Sequence, residues 1–138
     1  MDLYAENILD HFRHPRNKGQ GPRAKGANAI VHTEANLSCG DEITLFVTLD
    51  GDRISAIEWD GTGCAISQAA MSLLSEELIG KSLNEAEAIA PKNIYEILGV
   101  PIGARRVKCA LLGLHALKNV IRLHRQEQPQ GWMETVGE

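Results

Sequence analysis

The chain has 138 residues, a net charge of −4 with acids and bases dispersed along it, and very few aromatic side chains. That length suits one domain whose core needs no disulfide, and the charge argues against general nucleic-acid or membrane-surface binding. With no evident signal peptide and no apolar run long enough to cross a bilayer, an odd number of cysteines, three, reads as reduced thiols in the cytoplasm.

Residues 2–13 predict a short amphipathic helix, with Tyr4, Ile8 and Phe12 on one stripe and Leu9 beside them. Pro15 stops it within the turn His14-Pro15-Arg16-Asn17-Lys18-Gly19, and residues 20–28 read as loop. Ala29–Ala35 is a weak strand. Ile43, Leu45, Val47 and Leu49 alternate with Thr44, Phe46 and Thr48, the pattern of a half-buried strand. Asp50-Gly51-Asp52 turns the chain into a third strand, Arg53–Trp59. Short links between these strands predict an antiparallel meander.

The second half reads as helical. Ile66, Ala69, Ala70, Leu73 and Leu74 keep the helical period, and Gly80 ends that helix. Ser82-Leu83-Asn84-Glu85 has the form of a capping box, and a short helix is expected around Lys92–Leu98. Val107, Ala110, Leu111, Leu114, Leu117 and Ile121 mark a long last helix from about Gly103 to Arg125. The expected organisation is one domain over residues 1–125 and a frayed tail over 126–138, where Pro129 and Gly131 fall.

Each cysteine has a different setting. Cys39 precedes the strong strand in Ser38-Cys39-Gly40-Asp41. There Gly40 permits positive φ or close approach of a metal, and Asp41 follows as a carboxylate; an ordinary polar turn would use the same residues. Cys64 opens the first long helix after Gly61-Thr62-Gly63, where unpaired N–H groups and the helix dipole favour negative charge on sulfur. Cys109 lies roughly 130° from the centre of the apolar stripe of the last helix, which puts it at or beyond the edge of the core face. Arg105, Arg106 and Lys108 precede it and would favour a thiolate or persulfide. Three small, inert core cysteines are the alternative reading. The five histidines read as surface or boundary residues, and no His–carboxylate–Ser spacing supports hydrolase chemistry.

Four segments, in this order and spacing, resemble the IscU/NifU/SufU family of iron–sulfur cluster assembly scaffolds. They are Glu6–Phe12 with His14–Gly19, Asn36–Asp41, Gly61–Ala69, and Arg106-Val107-Lys108-Cys109. The resemblance runs from Tyr4 to about Leu123. It implies an α+β fold, a three-stranded antiparallel sheet packed against helices with a long C-terminal helix. It also implies that Cys39, Asp41, Cys64 and Cys109 converge at one exposed end, as ligands to a [2Fe-2S] cluster or to zinc, with Gly40, Arg106 and Lys108 around them. A [4Fe-4S] cluster shared by a homodimer is compatible with it.

The implied activity is that of a scaffold or carrier rather than an enzyme. Sulfur comes from a cysteine desulfurase, with Cys109 as the acceptor, and the cluster goes to apo-iron–sulfur proteins. Two departures stand out. Lys108 occupies the place of the IscU-branch histidine, as in the SufU branch, yet the 45-residue step from Cys64 to Cys109 leaves no room for the SufU insertion. The Leu-Pro-Pro-Val-Lys chaperone segment is also missing, with Val100-Pro101-Ile102-Gly103-Ala104 nearby instead. A zinc-dependent sulfurtransferase and a zinc-stabilised interaction module are the rival readings.

Overall fold

The computed structural model describes residues 3–19, 29–38 and 40–137. Cys39 and the expected loop over residues 20–28 lie outside that description, as does the side chain of Tyr4. Three strands, β1 (Ala29–Asn36), β2 (Asp41–Asp50) and β3 (Arg53–Thr62), form an antiparallel sheet in the order β1-β2-β3. Six helices are described: α1 (Leu3–Arg13), α2 (Ala65–Leu78), α3 (Leu83–Glu87), α4 (Pro91–Leu98), α5 (Val107–His124) and α6 (Trp132–Val136). No described helix is long and apolar enough to cross a membrane.

The strand alternation predicted for β2 is realised. Ile43, Leu45 and Val47 are fully buried while Thr44, Phe46 and Thr48 are only partly covered. Asp41 continues the same parity and is 3 % exposed, so the strand's period of two turns this carboxylate inward with the core residues. Across the sheet, Leu45 pairs with Trp59 and Ile43 with Gly61. A Cβ at Gly61 would lie 2.1 Å from the Glu42 carbonyl oxygen, so glycine there permits the close strand approach.

The Ser82–Glu85 capping box forms in both directions. Gly80, at φ +90°, receives the chain after α2. The His14–Gly19 turn is a polar staple. The backbone N–H of Arg16 and the ring of His11 share the buried Ser72 hydroxyl of α2, at 2.8 and 2.7 Å. The Trp59 indole N–H donates to the Arg16 carbonyl at 2.8 Å, and the Asn17 amide donates to Ser75 at 3.0 Å. This ties α1 to α2 and β3, which accounts for the segment's residues without assigning them chemistry.

Three expectations are corrected. On α1 the buried positions are Ile8 and His11, whereas Phe12 is 43 % exposed, because the His11–Ser72 bond turns position 11 toward α2. The C-terminal segment, expected to fray, carries α6 packed on α5: Trp132 stacks on His115 with ring centroids 4.1 Å apart. Thr135 bonds His115 Nδ1 at 2.6 Å, and Gln130 N–H donates to Asn119 Oδ1 at 2.7 Å. Finally, His11 and His115 are buried rather than surface residues, at 4 % and 2 % exposure.

Candidate metal centre

Asp41 sits at the first position of β2, paired with Asn36 across the β1–β2 turn. That turn closes with the Gly40 N–H donating to the Asn36 carbonyl at 2.9 Å. Gly40 has φ +74° with open space around it, so its glycine serves backbone conformation, as the sequence suggested.

Cys64 is the N-cap of α2, in extended conformation and making no side-chain cap bond. Its thiol is turned instead toward Asp41 and Ser67. Cys109 lies in the first turn of α5, after a 3₁₀ turn over Ala104–Arg106.

These three residues converge. One ligand atom each from Asp41, Cys64 and Cys109 lies within 4.8 Å of the other two. The Cys64 thiol donates to Asp41 Oδ2 at 3.8 Å. Ser67, fully buried, donates to the Cys64 carbonyl at 3.1 Å and lies 3.9 Å from its sulfur. Among the described residues the cluster contains no histidine. Two soft thiols and one hard carboxylate suit zinc or iron in a sulfur-rich site. Cys39, two residues before Asp41, is outside the described residues, so the fourth expected member has no position here.

Two readings from the sequence change. The centre is recessed rather than at an exposed end: Asp41 and Cys109 are 3 % and 6 % exposed, and Cys64 alone of the three is half-buried. Cys109 is not off the core. Every residue from Cys109 to Ile121 is buried, because α5 packs against α2, α4, β1 and β2 at once. A helix enclosed on most sides has no single apolar stripe from which to measure an angle.

Arg106 is exposed at the N-cap of α5 and makes no cap bond with its side chain. The Lys108 ammonium lies 5.8 Å from the centroid of the Trp132 ring. A cavity of about 550 Å³ opens between Asn36 and Ser38 of the β1–β2 turn, Arg105 and Lys108 at the start of α5, and Val136 of α6.

Residues missed from the sequence include Ser67 and Gly63. A Cβ at Gly63 would come within 2.5 Å of Ser67 Oγ and 2.8 Å of the Asp41 carboxyl carbon. The glycine before Cys64 thus leaves room for the inward carboxylate. The alternation of β2, extended one step back to position 41, is the signal that could have found this.

Comparison with known proteins places the chain among relatives of one family. The family model described as NifU-like N terminal domain matches residues 3–130. The zinc-dependent sulfurtransferase SufU of Bacillus subtilis is 32% identical over 133 residues, covering 84% of this chain and 87% of its own. The iron-sulfur cluster assembly scaffold protein IscU of Streptococcus pyogenes is 34% identical over 137 residues, covering 87% and 83%. The crystal structure of the N-terminal part of a nitrogen-fixing NifU-like protein from Brucella abortus superposes with a TM-score of 0.72, covering 91% of this chain and 96% of that one. At 22% identity that last likeness speaks for the fold alone.

Proposed function

The chain belongs to the NifU-like N-terminal domain family, and from that premise we propose that it is an iron–sulfur cluster assembly scaffold. It assembles a [2Fe-2S] cluster as cargo on Cys39, Asp41, Cys64 and Cys109 and passes it to apoproteins. The observation that carries this reading is the mutual approach of Asp41, Cys64 and Cys109 ligand atoms within 4.8 Å, in a chain 34% identical to a protein named as a scaffold.

Sulfur arrives from a cysteine desulfurase. The Cys109 thiolate attacks the outer sulfur of the desulfurase persulfide; the S–S bond breaks, and the desulfurase cysteine leaves as thiolate. Reduction of each sulfane sulfur to sulfide takes two electrons from an external thiol or one-electron carrier. Cys109 is 6 % exposed, so this step requires its sulfur to become more accessible. The acceptor role rests on the family resemblance and on the basic flank Arg105, Arg106 and Lys108.

Asp41 is the ligand that lets the cargo go. Iron–sulfur clusters are held by thiolates, and a carboxylate is harder and more readily displaced. A permanent site would use a fourth thiolate.

The identity with the B. subtilis protein named as a zinc-dependent sulfurtransferase supports a second reading, in which zinc occupies the same residues and sulfur passes through without cluster accumulating. Reconstitution with desulfurase, cysteine and ferrous iron separates the two. A scaffold develops thiolate-to-iron absorption in the visible; a sulfurtransferase keeps its zinc and stays colourless.

A further inference from the structure

The family match ends at residue 130, and α6 begins at Trp132. This helix nevertheless packs beside Lys108, the residue that precedes Cys109. Its Trp132 has two partners: His115, stacked at 4.1 Å between centroids and 22° between planes, and the Lys108 ammonium, 5.8 Å from the ring centroid. Lys108 immediately precedes Cys109 and also lines the cavity shared with Asn36 and Ser38 of the β1–β2 turn. The indole is itself fixed from behind. His115 is held by Thr135 at 2.6 Å, and Gln130 is held by Asn119 at 2.7 Å, so α6 docks on α5 through buried polar bonds independent of Lys108.

An exposed lysine has four free rotors, and its charge is spread over a wide arc unless something holds it. The face of an indole is the strongest aromatic partner for a cation. We propose that Trp132 is a positioning residue: it holds the ammonium of Lys108, the residue before Cys109, in one place, near enough to the thiols to raise the local concentration of anions there. The value of that placement for sulfur transfer or cluster assembly rests on the function proposed above. The placement itself is a property of the metal-free protein and is tested there.

Cys64, half-buried and with its sulfur within 4.8 Å of that of Cys109, is the reporter. Its alkylation by iodoacetate and by iodoacetamide is followed by peptide mass mapping of the full-length, metal-free protein at low ionic strength and one pH. Both reagents need the same thiolate and the same access, so their rate ratio isolates the local potential. Lys108→Gln is expected to lower the iodoacetate/iodoacetamide ratio about two- to fivefold, the size of one nearby unit charge in a largely aqueous setting. Trp132→Leu, which keeps an apolar side chain and removes the π face, is expected to lower it as far, and Trp132→Phe to retain most of it. The double variant is expected to be no lower than either single one.

A wild-type ratio in Trp132→Leu beside a lowered one in Lys108→Gln overturns the proposal, as does no effect of Lys108→Gln, or an effect of Trp132→Leu that persists on the Lys108→Gln background. Should Trp132→Leu not fold, NMR of Lys108→Gln decides: the Trp132 indole signals shift while those of buried Trp59 stay, or the contact is not populated and the proposal fails.

Discussion

Gly63→Ala tests the centre without replacing any proposed ligand. The added methyl would meet Ser67 Oγ at 2.5 Å, the Asp41 carboxyl carbon at 2.8 Å and Asp41 Oδ1 at 2.9 Å. Carbon contacts relax at about 3.5–4.0 Å, so from 2.8 Å the Asp41 carboxyl carbon must retreat by roughly 0.7–1.2 Å. Metal–ligand distances tolerate about ±0.2 Å. The carboxylate is therefore lost as a ligand, for which a tenfold to hundredfold fall in zinc affinity, about 1.4–2.8 kcal/mol, is expected. The overpacking itself costs about 1–3 kcal/mol of stability. Competition against a chromophoric chelator measures the first quantity, and thermal unfolding of the metal-free protein the second. Adding Ser67→Ala removes the closest contact but leaves the Asp41 clash. The double variant should regain stability while its zinc affinity stays low. Wild-type zinc affinity in folded Gly63→Ala would refute the claim that Asp41 binds metal from its inward position on β2.

Other expectations concern ligand roles and acid sensitivity. After incubation with desulfurase and cysteine, mass spectrometry should show the persulfide lost in Cys109→Ser; its retention would move the acceptor role to Cys39 or Cys64. Asp41→Ala should hold a reconstituted cluster longer than wild type in transfer assays, since the three thiolates remain and the exchangeable ligand is gone; faster release would refute the labile-ligand idea. Burial pushes His11 and His115 below the ordinary imidazole range; Arg16 adds to this at His11 and His32 at His115, while Glu76 and Glu34, respectively, pull back. A depressed folded value means that the unfolded chain takes up these protons first. Their contribution is therefore complete above the unfolded value of about 6.5 and is lost as pH falls below it. The melting temperature of the metal-free protein should drop between about pH 7 and 5, and His115→Gln should flatten that slope. An unchanged melting temperature across this window would contradict the buried neutral state.

Much of the architecture was legible because local signals agreed with tertiary ones. The alternation in β2, the Gly51-Asp52 turn and the Ser82–Glu85 capping box each have short-range causes, and each appears in the structure. So does Cys64 at the start of α2. What was not legible depended on neighbours far along the chain. Cys109 was placed off the core from a single stripe on α5, but partners on several sides bury that helix from Cys109 to Ile121. The segment after Gln126 contains Pro129 and Gly131 and reads as a tail. Yet α6 is held by a buried Asn119–Gln130 pair and the His115–Trp132 stack, partners 11 and 17 residues apart in sequence. A tryptophan in a supposed tail was the available hint.

A site that builds a cluster in order to release it must both accumulate iron with sulfide and give them up. The most direct measurement is iron and acid-labile sulfide on protein purified without oxygen, with its visible spectrum followed as an apo-ferredoxin is added. Iron and sulfide are expected in equal amounts, with absorption that leaves this chain and appears on the acceptor. Stoichiometric zinc, with no cluster formed even when desulfurase, cysteine and ferrous iron are supplied, would contradict the scaffold reading.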